Sequence, residues 1–225
     1  REYRVIAALH PLGYPVPRPW LLCQDPDVIG TAFYIMDFAA GRVFWEPHIP
    51  GVDEDTRAAI YDSLNATLAR LHRVDVEAVG LADFGKPQGY VARQVARWSK
   101  QYHASQTEPI TEMDRLIAWL PDAVPDTNEL ALVHGDFRLD NCIVEAQGTG
   151  IVAVLDWELS TLGDPLADFT YHLMQWMMPP SDRGAGVGSL VGHDQDAPGL
   201  PRLEDYVEAY CERTGRAGIG DLDTY

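Results

Sequence analysis

Four polar residues within positions 132–168 have the types and spacing to do chemistry together. His134, Asp136 and Asn141 form H-x-D-x-x-x-x-N, and Asp156 follows the apolar run 151–155. Moving a phosphoryl group is mostly a matter of positioning and charge neutralisation, so such a site needs a base near the attacking hydroxyl and hard oxygen ligands for Mg²⁺. Asp136, in the loop after an apolar strand at 130–133, can accept a hydroxyl proton. Asn141 offers a neutral amide oxygen and Asp156 a carboxylate to a hard cation. A hairpin over 142–155, turning at 148–150, would bring both ligands to one end of a two-stranded ribbon. The combination reads as phosphate-and-metal chemistry.

Each residue also has a plainer reading. An aspartate in a polar turn is commonly a cap or turn residue; it is the ordered set, each member following an apolar strand, that favours function. His134 reads as a hydrogen-bonded loop anchor or as an acid or base. Arg138 can steady phosphate or pair with an acid. Glu158, two residues past Asp156, would share its face on a continued strand and could touch the metal from outside, or else is a solvated or capping residue. Asp164 precedes Pro165 and reads as the N-cap of the next helix. Asp168, one turn further on, could hold the loop of Asp136 by accepting backbone N–H groups.

The elements that must position these residues follow from apolar spacing. Residues 1–10 predict a short helix stopped by Pro11 and Gly13. The PVPRP run is an extended connector, and strands are expected at 20–24 and 32–38 around an Asp-Pro-Asp turn. Helices are expected at 53–74, 89–104, 111–120 (ending before Pro121), 165–178 and 202–214, with a long Gly/Ser/Asp-rich loop at 181–201. Val91, Val95, Trp98 and Tyr102 fall on one face of the second of these.

Composition narrows the classes. The chain has 225 residues, of which 46% are hydrophobic and 23% charged, and is long enough to bury a substantial core. With 17 basic against 34 acidic residues it carries a formal charge of −17, which argues against a nucleic-acid partner. No apolar run reaches the length of a membrane span. Three scattered cysteines, Cys23, Cys142 and Cys211, suit free thiols in a reducing compartment, and cytoplasmic residence is the expectation.

The phrases HGDFRLDN and VLDWELSTLGDPLADF resemble the aminoglycoside phosphotransferase and choline kinase superfamily, and are most similar to the phosphotransferase-like domains fused to acyl-CoA dehydrogenases. The resemblance runs along nearly the whole chain. It implies an α+β, protein-kinase-like two-lobed fold: residues 1–40 as the remainder of a small β-containing N-lobe, and 41–225 as a larger, mainly helical C-lobe with a helical substrate-binding cap. It implies Asp136 as catalytic base, Asn141 and Asp156 as Mg²⁺ ligands and His134 as the loop-anchoring histidine. Glu2, in REYRVIAAL, corresponds to the partner of the phosphate-binding lysine. FYIMDFAAG is similar to the last N-lobe strand and hinge, where Met36, Asp37, Phe38 and Ala39 would meet the adenine. That lysine and the family's glycine-rich strand pair lie upstream of such a helix; the chain begins at Arg1, and Lys86 and Lys100, its only lysines, fall in the helical half. Further N-terminal sequence is therefore expected.

The implied activity is a small-molecule kinase moving the γ-phosphoryl of ATP or GTP to a hydroxyl, with nucleotide and a small hydroxylated substrate as partners and fusion to, or association with, an acyl-CoA dehydrogenase. The alternative is a weakly active or inactive nucleotide- or acyl-CoA-binding module; a metal-dependent phosphohydrolase would want more histidine or carboxylate ligands. The acidic balance would suit a cationic aminoglycoside, with acidic contacts from a cap at 89–120 and 181–214, whereas the dehydrogenase-linked resemblance points to a hydroxyacyl-type metabolite.

Overall fold

The computed structural model describes residues 1–86, 88–124, 129–180, 188–193, 197–220 and 222. Apolar spacing decides its helices. Helix α1 (Glu2–Leu9) buries Val5, Ile6 and Leu9, and a 3₁₀ turn at His10–Leu12 closes on Gly13 at φ 66°. That left-handed position is why a glycine stands there. Helix α2 (Glu54–His72) begins where the Asp53 carboxylate accepts the Thr56 N–H at 2.9 Å. It fully buries Ile60, Leu64, Leu68 and Leu71. At about 1.5–3 kcal/mol per side chain, this burial fixes the helix more firmly than residue propensity can.

Helices α3 (Tyr90–Ser105) and α4 (Thr111–Ala123) pack against each other. Contrary to the expectation of a stop before Pro121, α4 runs through it. A proline in the last turn removes a single N–H, and the Val124 N–H still closes on the Leu120 carbonyl at 2.9 Å. Helix α5 (Pro165–Met177) and helix α6 (Leu203–Thr214) complete the helical part. α6 lies along α2, where Asn65 Nδ2 donates to the Tyr206 carbonyl at 2.8 Å. Of the predicted loop at 181–201, residues 181–187 and 194–196 lie outside the described residues.

The strands form three antiparallel ribbons: β1 (Pro19–Cys23) with β2 (Phe33–Met36), β3 (Ala131–Val133) with β6 (Thr161–Gly163), and β4 (Cys142–Val144) with β5 (Ile151–Val154). Strand β6 had no sequence signal, because Thr-Leu-Gly is too short to alternate; it completes β3 with Leu132 opposite Leu162. The β4–β5 hairpin joins the two parts of the chain. Val154 N–H donates to the Pro15 carbonyl at 2.8 Å, and Arg42 and Val144 exchange backbone bonds at 2.8 and 2.9 Å. The proline-rich connector and the segment after β2 are thus both pinned to it. One core runs from α1 through the α2 leucines to Leu132, Phe137, Trp157 and Phe169. Among the described residues, no helix is long and apolar enough to cross a membrane, and Cys23, Cys142 and Cys211 are free.

Candidate functional site

The loop after β3 is gripped by one helix. Three residues of α5, at spacings of three and one, take four consecutive loop residues. The Asp168 carboxylate accepts the His134 N–H at 2.7 Å and the Gly135 N–H at 2.8 Å. Tyr171 donates its hydroxyl to Asp136 Oδ1 at 2.6 Å, and His172 Nδ1 lies 3.2 Å from the Phe137 carbonyl oxygen. Residues three and four apart share a helix face, so α5 acts as a template for the loop. Gly135 sits at φ 85°, and a Cβ there would come within 3.0 Å of Leu159 Cβ and its carbonyl oxygen, which explains a glycine there.

Asp168 is fully buried and also faces His72 Nε2 at 3.1 Å, whose Nδ1 is 2.6 Å from the Tyr210 hydroxyl. Burial alone would push its carboxyl up; the hydrogen bond and charge of His72, with His134 behind them, outweigh burial and hold it below the usual carboxylate range. His134 is fully buried as well. Its Nε2 meets the Leu155 carbonyl at 2.9 Å and its Nδ1 accepts the Asp136 N–H at 3.2 Å. Those partners require the neutral Nε2–H tautomer, in keeping with burial lowering its pKa. Both ring nitrogens are thus committed to backbone within the protein.

Asp136 faces outward. Asn141 Nδ2 donates to its backbone carbonyl at 2.8 Å and to Oδ2 at 3.1 Å, which leaves the Asn141 amide oxygen available to a cation. Arg138 pairs with Asp140, donating from Nε at 2.9 Å, and its Nε is 3.9 Å from Asp136 Oδ1. The hydrogen bond to Asp140 holds its guanidinium firmly charged. Of the two readings for Arg138, the acid pair is the one the structure contains.

The hairpin brings Asp156 to Asn141: Cys142 pairs with Val154, and the Leu155 N–H donates to the Asn141 carbonyl at 2.8 Å. Asp156 is exposed and left-handed, at φ 62° and ψ 59°, a conformation aspartate tolerates better than most residues. The left-handed turn redirects the backbone. Residues Trp157–Leu159 form a 3₁₀ turn anchored by the buried Trp157, whose Nε1 donates to the Val154 carbonyl at 2.9 Å. Glu158 is therefore in this turn and not on a continued strand, the condition under which its spacing would give it the face of Asp156. Asp164 caps α5 by accepting the Leu166 N–H at 2.8 Å. The oxygen donors of Asn141 and Asp156 are the hard type that Mg²⁺ takes, with nucleotide phosphates completing its shell. Among the described residues, no group of three or more His, Cys, Asp or Glu could hold a metal without such help.

In the smaller part, Glu2 Oε2 accepts the Tyr34 hydroxyl at 3.3 Å. At the edge of β2, the Asp37 N–H donates to the Arg18 carbonyl at 2.9 Å and its carboxylate accepts from Trp20 Nε1 at 2.6 Å. Met36 and Asp37 are exposed, Phe38 is 92% exposed and Ala39 half-buried. Because the Asp37 N–H is engaged, the free donors of this stretch begin at Phe38.

Asp136 opens into a cavity of about 600 Å³ between the loop and the α3–α4 pair. Its walls are hydrocarbon and aromatic, built from Val91, Val95, Trp98, Leu116, Ile117 and Leu120. Among the described residues, the carboxylates along it are Asp136 and the buried Asp168, so 89–120 supplies none of the expected acidic cap contacts there, while 181–187 and 194–196 of the other cap segment lie outside the described residues. Tyr171, His172, His72 and Tyr210 escaped sequence reading. Tyr171 carried the faint signal of lying three residues past Asp168; His72, 96 residues from Asp168, carried none.

The phosphotransferase enzyme family profile matches residues 1–217. The chain is 43% identical to acyl-CoA dehydrogenase family member 10 of Mus musculus, over 100% of the chain and 21% of that protein. It is 44% identical to acyl-CoA dehydrogenase family member 11 of Rattus norvegicus, over 96% of the chain and 27% of that protein. It thus spans about a quarter of these relatives. Among solved structures, a candidate aminoglycoside phosphotransferase from Ralstonia eutropha superposes with a TM-score of 0.92 at 46% identity, covering 100% of this chain and 68% of that one. An aminoglycoside-3'-phosphotransferase of type VIII shares the fold at 19% identity, with a TM-score of 0.65 over 99% of this chain and 75% of that one. The chain belongs to the phosphotransferase enzyme family and has its kinase-like α+β fold.

Proposed function

We propose that this member of the phosphotransferase family carries the catalytic and metal-binding half of a kinase that moves the γ-phosphoryl of ATP or GTP onto the hydroxyl of a small acceptor with a substantial hydrocarbon segment. One observation carries the reading: the outward carboxylate of Asp136 stands at the floor of an apolar cavity. An alcohol lying along Trp98 and Leu116 would present its hydroxyl to Asp136, which takes the proton as the new P–O bond forms. Asn141 and Asp156 would hold Mg²⁺, which when bound neutralises charge on the phosphates. His134 and Asp168 fix the loop, and Arg138 holds Asp140 and keeps positive charge beside the base. Glu2 would serve the phosphates of the nucleotide and the stretch Met36–Ala39 its adenine.

The surroundings favour an acyl-type acceptor over a cationic aminoglycoside. A polycation entering the cavity would lose hydration without gaining the carboxylates that binding it requires. A second cleft of about 620 Å³ shares Tyr90, Gln94 and Leu159 with the cavity and adds Lys86, Arg93 and Arg97. Arg1, Lys86, Arg93 and Arg97 outnumber Glu158, the carboxylate among the described residues that line this cleft, so in a chain of charge −17 it is a net basic patch suited to an anionic arm of the acceptor. A hydroxyacyl-CoA ester has both features, and the dehydrogenase relatives make it the natural first probe. With the complete protein and MgATP, ADP release is expected to show kcat/KM at least about 100-fold higher for medium-chain hydroxyacyl-CoA esters than for kanamycin. A preference for kanamycin would overturn the assignment of the acceptor.

A further inference from the structure

We propose that Tyr171 is a positioning residue for the transfer, aiming the Asp136 carboxylate at the acceptor; the inference rests on the reading of Asp136 as base. Asp136 stands on a loop, where a side chain is ordinarily free to choose among rotamers. Here each oxygen is held. Oδ2 accepts from Asn141 Nδ2 at 3.1 Å, and Oδ1 accepts the Tyr171 hydroxyl at 2.6 Å, a short contact of the kind an ionised acceptor makes. Asn141 arrives from the end of the loop, where the Leu155 N–H ties its carbonyl to the hairpin, whereas Tyr171 arrives from α5, whose register is set by the buried Asp168 and His172 contacts to residues 134, 135 and 137. Tyr171 is therefore the link that refers the carboxylate to a rigid helix.

The same side chain lines the acceptor cavity. Its phenol is pushed up to about 12, by burial first and then by the hydrogen bond to Asp136, so at neutral pH it is a donor and not a competing base. Each carboxylate oxygen has a second lone pair. With one lone pair of Oδ1 committed to Tyr171, the other remains for the hydroxyl of an alcohol in the cavity. Arg138 Nε, 3.9 Å from the same oxygen, adds charge without the alignment of a hydrogen bond. Tyr171 thus decides the direction of the base, and Arg138 its electrostatic setting.

Tyr171→Phe keeps the ring and the cavity wall while deleting the donor. In the complete protein, with ADP release measured from MgATP, both with water alone as acceptor and with a medium-chain hydroxyacyl-CoA ester, kcat should fall about 10- to 100-fold. The KM for nucleotide should stay within about twofold, because the deleted hydroxyl meets Asp136 and Arg138 at the wall of the acceptor cavity. The decisive readout is the double variant. If Tyr171 acts through Asp136, then Asp136→Asn with Tyr171→Phe turns over no more slowly than Asp136→Asn alone. A Tyr171→Phe protein with unchanged kcat, or losses that multiply in the double variant, would overturn the role of Tyr171 and leave that of Asp136 standing. Full turnover by Asp136→Asn itself would overturn both.

Discussion

Asp136→Ala is expected to lower turnover by about 10²- to 10⁴-fold, the range for loss of a positioned general base, while nucleotide binding remains. The carboxylate sits on the loop after β3, and its contacts come from Asn141, Tyr171 and Arg138, none of which needs it in order to fold. Its removal leaves the hydrophobic core untouched. Asp156→Ala provides the contrast: Asp156 is exposed at the end of the hairpin beside Asn141, so its loss should raise the Kd for MgATP, with little change in thermal stability. Steady-state ADP release together with calorimetric MgATP titration separates the two. Equal effects of both substitutions on turnover and on nucleotide affinity would contradict the division of labour between base and metal ligand.

The second large effect is on stability. Asp168→Ala should destabilise the fold by about 3–5 kcal/mol, because it strands buried donors on three residues, His134, Gly135 and His72. For a domain of this size that corresponds to a fall in Tm on the order of 10 °C. Turnover would fall as well, through a loop no longer held, but the loss of Tm distinguishes Asp168 from Asp136. A Tm within about a degree of the native value would refute the bracing role.

The same network sets the acid limit. The folded Asp168 carboxyl titrates below its ordinary range, so its contribution is intact above about pH 4 and fades below it. His134 and His172 act at higher pH. Burial lowers both, His172 to about 4, whereas the unfolded chain takes up those protons near pH 6.5. Their stabilising effect is therefore complete above about pH 6.5 and declines as the pH falls below it, for His172 down to about 4, before Asp168 is affected. Thermal unfolding from about pH 7 down to about pH 4 should show that earlier decline, reduced in His172→Asn relative to native.

The candidate catalytic loop was legible because its residues are local. His134, Asp136 and Asn141 lie within eight positions, and the hairpin that returns Asp156 to them announces itself by two apolar runs around a glycine turn. The cap of α5 at Asp164 and the helix faces came from spacing in the same way. What could not be read depends on contacts between distant elements. The apolar face of α3 was visible in Val91, Val95, Trp98 and Tyr102, yet the pattern does not say whether such a face meets the core or a cavity; here it lines the cavity with α4. His72 reaches Asp168 across 96 residues of sequence. Whether the strand would continue to Glu158 could not be read either, because the left-handed turn at Asp156 breaks the strand period, and period alone cannot register a single positive φ.

The measurement that bears most directly on the proposed phosphoryl transfer is ³¹P NMR of the complete protein incubated with MgATP and a medium-chain hydroxyacyl-CoA ester. A new phosphomonoester resonance, coupled to the carbinol proton of the acceptor, growing in step with ADP and absent with Asp136→Ala, is the predicted result. ADP accompanied only by inorganic phosphate, or the phosphomonoester forming at the native rate with Asp136→Ala, would contradict it.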